Sequence, residues 1–139
     1  MNELSRREAL QTISVLCCGA LISPILVSCA PTKQVTQMED ANVLTLLLED
    51  FEGDTIVVKS KKYSYPIAVS RLEVRKYTAL LMQCTHKGCE LRSEGTYLVC
   101  PCHGSEFDSQ GKVLNPPADK ALRTFPVRSD DKNIYIDIS

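Results

Sequence analysis

Between positions 84 and 108 the chain reads CTHKGCELRSEGTYLVCPCHGSEFD, a stretch that holds four of its seven cysteines and both of its histidines. Thiolate sulfur and imidazole nitrogen are the donors that soft and borderline metals select. Two half-motifs stand out, Cys84-Thr85-His86-Lys87-Gly88-Cys89 and Cys100-Pro101-Cys102-His103-Gly104-Ser105. Each supplies one cysteine and one histidine in Cys-x-His or Cys-x-x-His spacing, plus one further cysteine. On a loop, such spacing brings both donors of a half to one metal site. The two remaining cysteines, Cys89 and Cys102, occupy matching places in the two loops and could be joined.

A structural zinc site would use the same two-cysteine, two-histidine set with no redox role. Against zinc stand the extra pair of cysteines, the Gly104-Ser105 that follows His103, and the lack of a finger-like helical pattern. A scaffold held by disulfides alone would leave both histidines unexplained.

The half-motifs closely resemble those of the Rieske iron-sulfur proteins, and among them the disulfide-containing cytochrome bc and b6f type. The resemblance is specific from residue 84 to about 117 and looser elsewhere. It implies one [2Fe-2S] cluster per chain, with Cys84 and Cys100 on one iron and His86 and His103 on the other. It also implies a Cys89–Cys102 disulfide clamping the two loops. Two neutral imidazoles in place of two thiolates leave the reduced form less penalised. The potential rises from about -400 mV for plant-type clusters to between roughly -150 and +300 mV. The imidazoles' outward nitrogens would couple electron gain to proton gain. By resemblance His103 is the histidine that meets a quinol.

Around the cluster the resemblance assigns tuning residues. Ser105 matches members whose hydroxyl donates to a bridging sulfide. Phe107 stands where high-potential members carry a tyrosine, so a lower potential than theirs is expected. Pro116 and Pro117, in Asn-Pro-Pro-Ala-Asp, resemble the proline loop over the third side of the cluster, although the pattern departs from Gly-Pro-x-Pro. Lys87 is a departure of another kind. Quinol-oxidising members place leucine there, on a greasy docking tip, where an ammonium would be costly to desolvate.

These loops need a scaffold, and its pattern is strand and turn. "NVLTLLLEDF" and "DTIVVKS" are rich in leucine and β-branched residues and flank Glu52-Gly53, a hairpin signal. "YPIAV", "YTALLMQ", "TYLVC", "LRTFPV" and "NIYIDI" are further candidates. In the last, Ile134, Ile136 and Ile138 alternate with Tyr135 and Asp137, which predicts one buried and one wet face. Tyr63, Tyr65, Tyr77 and Tyr97 read as strand packing residues. Lys59-Ser-Lys-Lys62 reads as a solvated hairpin end. Nothing past residue 41 shows a helical period with caps. The fold class is therefore all-β: a small sandwich or barrel of Rieske type, with a cluster-binding subdomain of two loops at about 84–118.

Ahead of this domain, Arg6 and Arg7 precede an apolar run from Leu10 to Val27, as in an export signal. The Ser-Arg-Arg-x-x-Leu form resembles a twin-arginine signal, which carries folded proteins across a bacterial membrane. "LVSC" resembles a lipobox that would make Cys29 the lipidated first residue of the mature chain. A retained transmembrane anchor is the competing reading. The expected organisation is a signal or anchor at 1–28, a flexible tether at 29–41 and the Rieske domain at 42–139, on the periplasmic face of a bacterial membrane. A disulfide suits that oxidising compartment. With a formal net charge of -1 and no basic excess, the 139 residues carry no mark of nucleic-acid binding.

The leading expectation is an electron-transfer subunit, not a catalyst alone, that takes electrons from a membrane quinol at a cytochrome b and passes them to a c-type cytochrome. Two alternatives remain. One is the small subunit of an exported molybdenum oxidoreductase resembling arsenite oxidase, bound to its molybdopterin-binding large subunit. The other is a free lipid-tethered carrier. An oxygenase lacks support, since a cluster would use both histidines.

Overall fold

A computed structural model describes residues 35–139. The expected signal, its Arg6-Arg7 pair, Cys29 and the first residues of the expected tether lie outside the described residues. Among the described residues there are twelve strands, a 3-10 turn over Leu48–Asp50 and no α-helix. No helix among them is long and apolar enough to cross a membrane.

The strands form three antiparallel sheets. The first contains β1 (Gln37–Asp40), β2 (Val43–Leu47), β11 (Val127–Ser129) and β12 (Asn133–Asp137), in the order β1-β2-β12-β11. The second contains β3 (Thr55–Val58), β4 (Ile67–Glu73), β5 (Lys76–Leu81) and β10 (Thr124–Phe125), in the order β10-β5-β4-β3. The third, made of β6 (Arg92–Glu94), β7 (Tyr97–Val99), β8 (Glu106–Phe107) and β9 (Val113–Asn115), is paired in chain order.

The apolar pattern explains how these sheets stack. Ile134, Ile136 and Ile138 are fully buried while Asp137 is exposed, as the alternation of β12 requires. Together with Leu44 and Leu46 they face Ile67, Val69, Ala79 and Leu81 of the second sheet in one core. The intervening residues Ala68, Leu80 and Met82 point the other way, into a second core with Leu98, Cys100, Phe107 and Leu122. Thus β4 and β5 are apolar on both faces because both faces are buried. The sandwich occupies one side and the metal-loop subdomain the other.

Three expectations need correction. β2 and β3 do not form a hairpin across Glu52-Gly53: β2 pairs with β1 and β12, while β3 pairs with β4. The 3-10 turn carries the chain from the first sheet to the second instead. Second, residues 37–40 of the expected tether form β1, joined to β2 through the turn at Ala41-Asn42. Its sequence, QMED, shows no apolar alternation because polar contacts hold this edge strand. Glu39 accepts hydrogen bonds from Ser60 Oγ (3.1 Å) and the Lys61 N–H (2.9 Å), and Gln37 Nε2 donates to Lys59 O (2.9 Å). Third, Tyr63 and Tyr65 lie in the β3–β4 connection, although both pack on the sandwich core, and Tyr97 is 41% exposed. The lysines at 59, 61 and 62 occupy that connection and are exposed, as a hairpin end should be.

Candidate metal centre

The two half-motifs fold into two nearly equivalent loops. In the first, Cys84 N–H donates to Cys89 O (2.8 Å) and Gly88 N–H to Cys84 O (2.8 Å). In the second, Cys100 N–H donates to Ser105 O (2.8 Å) and Gly104 N–H to Cys100 O (2.9 Å). The same turn is therefore built twice, and each time its fifth residue is a glycine at positive φ, 73° at Gly88 and 77° at Gly104. A side chain there would be strained.

These bonds revise the sequence alignment of the loops. Cys89 falls opposite Ser105, and Cys102 falls opposite His86; the two cysteines do not occupy matching places. They are nonetheless joined in a disulfide with a Cα–Cα distance of 6.6 Å, linking the end of one loop to the crest of the other. The histidines are likewise inequivalent, third in the first loop and fourth in the second. His103 is exposed and His86 half-buried, with their ring centroids 4.9 Å apart at an interplanar angle of 83°.

Cys84 and Cys100 are free thiols, 2% and 1% exposed. Burial pushes the Cys100 thiol up, but hydrogen bonds from the Cys102 backbone, the Cys84 thiol and the His103 backbone outweigh it, and its pKa is lowered overall. Such an environment favours the thiolate that a metal needs. Cys89, Cys100 and Cys102 hold their sulfurs within 4.8 Å of one another, yet two of the three are consumed in the disulfide and have no thiolate charge to offer. The usable donors are Cys84, Cys100 and the two imidazoles.

One atom among them lacks a partner. His86 Nδ1 is buried without any hydrogen bond. A buried imidazole nitrogen with no partner is costly unless something binds there, and a metal is the partner that the neighbouring thiols suit.

The end of β9 and the segment after it close the site by gripping both loops. Asn115 Nδ2 donates to Gly104 O (3.1 Å) and Ala118 N–H to the Ser105 hydroxyl (3.0 Å), while Thr85 Oγ1 donates to Lys120 O (2.7 Å). Pro116 and Pro117, joined by a cis peptide bond, are exposed between these anchor points. Ser105 and Phe107 are fully buried beneath. Asn115, Thr85 and Lys120 were not visible as site residues in the sequence, because each acts through one polar contact to a distant backbone atom.

Paired Cys/His loops clamped by a disulfide on a β-sandwich define a class of small redox metalloproteins. The family model for the Rieske [2Fe-2S] domain matches residues 33–126. The chain belongs to the Rieske [2Fe-2S] family, and its cofactor is a [2Fe-2S] cluster. It is 40% identical over 89 residues to a cytochrome b6-f complex iron-sulfur subunit of Synechococcus sp., covering 61% of this chain and 49% of that one. It is 32% identical over 114 residues to a ubiquinol-cytochrome c reductase iron-sulfur subunit of Bradyrhizobium diazoefficiens, covering 78% and 57%. The chain thus spans about half the length of these curated relatives. Among solved structures it is similar to a plasma membrane Rieske protein of Synechocystis PCC 6803, with a TM-score of 0.54 and 31% identity, covering 60% of this chain and 86% of the other. The residues present fit the family's cofactor: two buried free thiols, two adjoining imidazoles and the unpartnered Nδ1 of His86.

Proposed function

We propose that this chain is a membrane-tethered, one-electron, proton-coupled relay, the iron-sulfur subunit of a quinol-oxidising complex of cytochrome bc or b6f type. Cys84 and Cys100 would hold one iron of the cluster, and His86 and His103 the other. When bound, the cluster supplies a one-electron couple in the range of about -150 to +300 mV that histidine ligation allows. The protein's own residues do the rest. The buried side chains of Leu98, Phe107 and Leu122 keep water from the cysteine side. His86 offers its buried Nδ1 inward. His103, exposed at the crest of the second loop, would hold a proton at its outward ring nitrogen and meet a quinol hydroxyl there.

The observation that carries this reading is the inequivalence of the two loops: two thiols and one imidazole nitrogen are buried together, while the second imidazole reaches solvent. The disulfide suits an oxidising compartment, which agrees with an export signal ahead of the domain. The exposed Lys87 in the first loop is what keeps the molybdenum-enzyme subunit as a second reading, since an ammonium opposes an apolar docking tip.

The test is a redox titration of the full chain at several pH values, followed by electron paramagnetic resonance. A Rieske-type signal whose midpoint falls above neutral pH is expected. Zinc in place of iron, in protein supplied with iron and sulfide, would sink the reading.

A further inference from the structure

We propose that the groove beside His86 is a docking surface for an acidic redox protein. The inference rests on the electron-transfer reading above and names the chemistry of the partner. The groove is an open cleft of about 430 Å³ whose walls include Cys84, Thr85, His86, Lys87, Lys120 and Arg123. None of the residues lining it is acidic. A chain of formal net charge -1 therefore gathers three cations at a cleft that reaches His86. Clefts lined by one sign of charge focus the field and steer oppositely charged partners.

The walls are held in place. The Thr85–Lys120 hydrogen bond of 2.7 Å fixes the first loop against the segment before β10 that carries the other two cations. The Arg123 guanidinium lies over the Tyr63 ring at 4.9 Å and the Phe125 ring at 5.2 Å, so its orientation is set before a partner arrives. Lys87 and Lys120 are exposed, with no ion pair among the described residues. Exposed cations on the walls of an open cleft suit a protein surface. A small-anion site would instead converge a few buried donors on one point. In the docked pair one electron passes between the two centres, one being oxidised as the other is reduced, and no bond is made or broken. This face differs in character from the His103 side, where Pro101, Leu114, Pro116 and Pro117 are exposed.

The full, cluster-loaded chain can be tested with charged redox probes. Reduced wild type, Lys120→Glu and Lys120→Gln are oxidised by anionic ferricyanide and by cationic tris(phenanthroline)cobalt(III), at low and high salt. Lys132→Glu, at the β11–β12 turn, makes the same net charge change elsewhere. Binding of a labelled polyglutamate peptide, read by fluorescence anisotropy, provides a measurement independent of electron flow. Lys120→Glu should slow ferricyanide and weaken the peptide about tenfold, the low end for focused clefts, while speeding the cobalt complex. Lys120→Gln should fall between, and Lys132→Glu should change little. All differences should shrink in about 1 M salt, where the Debye length is near 3 Å. Equal effects on both oxidants, or equal effects of Lys120→Glu and Lys132→Glu, overturn the proposal. So does saturable competition by millimolar phosphate at constant ionic strength, which marks a small-anion site. A chain with no iron-sulfur signal fails the electron-transfer reading itself, whereas a normal signal without charge discrimination fails only the docking surface.

Discussion

Ser105 and Phe107 lie two residues apart, both fully buried beneath the second loop, and they differ in what they can offer a charged sulfur. The Ser105 hydroxyl accepts a hydrogen bond from Ala118 N–H, so its own hydrogen is left to be donated. A hydrogen bond to a charged group is worth about 1.5–3 kcal/mol. Only the part that differs between oxidation states reaches the potential, and a tenfold preference corresponds to about 59 mV for one electron. Ser105→Ala should therefore lower the midpoint by some tens of millivolts and also lower Tm, because the buried Ala118 N–H loses its acceptor. Phe107→Tyr should keep the cluster and raise the midpoint. Potentiometric titration of both variants decides the matter, and a tyrosine variant with a lowered or unchanged midpoint would contradict the donor argument. His103→Ala should abolish the assembled cluster, seen as loss of its visible absorbance and paramagnetic signal; assembly in that variant would rule out His103 as a ligand.

Strand by strand, the sandwich was far more legible than the subdomain attached to it. β12 announced itself through three isoleucines at period two. The runs of β4 and β5 were found as strands, but that alternate residues served two different cores could not be read from a continuous apolar stretch. β6, β8 and β9 were missed because strands of two or three residues carry no periodicity; hydrogen bonds to neighbours hold them. The candidate Cys and His donors stood out in the sequence because their residue types have few other reasons to cluster, whereas the polar grips of Thr85 and Asn115 had no pattern to betray them. Gly111 makes the contact between the layers testable. It has φ 82°, and a Cβ there would stand 3.0 Å from Leu80 Cδ2 and 3.3 Å from Leu122 Cβ. Left-handed backbone costs a non-glycine residue about 1–2 kcal/mol, and overpacking about 1–3 more. Gly111→Ala should then lower the unfolding midpoint by about 10 °C or more at 4–8 °C per kcal/mol, and calorimetry showing no loss would mean that the layers are not in close contact there. In the β11–β12 turn, the backbone N–H groups of Lys132 and Asn133 and the Tyr135 hydroxyl hold the Asp130 carboxyl below the usual carboxylate range. The folded state then binds its proton less readily than the unfolded chain. Its contribution is complete above about pH 3.9 and is lost as pH falls through the lower folded value. Thermal melts of Asp130→Ala should show a flatter acid limb than wild type, and parallel limbs would remove this turn as the cause.

Across the whole molecule, the two cores differ in what maintains them. The sandwich core consists of Leu44, Leu46, Ile67, Val69, Ile134, Ile136 and their neighbours, apolar throughout and independent of any cofactor. The second core contains Cys84 and Cys100 among its buried members, and the strands around it are short. Removing the cluster would leave the His86 Nδ1 without a partner inside this smaller core, where unsatisfied polar groups are expensive. The disulfide limits how far the loops can open, since closing a loop of about 15 residues is worth about 3 kcal/mol in the unfolded chain. Cluster loss should therefore loosen the third sheet and both loops without melting the sandwich. Hydrogen exchange on loaded and cluster-free protein should show protection retained in β2 and β12 and lost in β7, β8 and the Cys84 and Cys100 amides. Because β4 and β5 serve both cores, their amides should stay protected through the pairing with β3 and β10. Their outward side chains, Ala68 and Leu80, should nevertheless gain mobility. Uniform loss of protection across β12 and β7 would show instead that one cooperative unit spans both cores and that the cluster stabilises the sandwich as well. Reducing the disulfide in the cluster-free protein should extend the loss along both loops and still stop at β5, where the sandwich core begins.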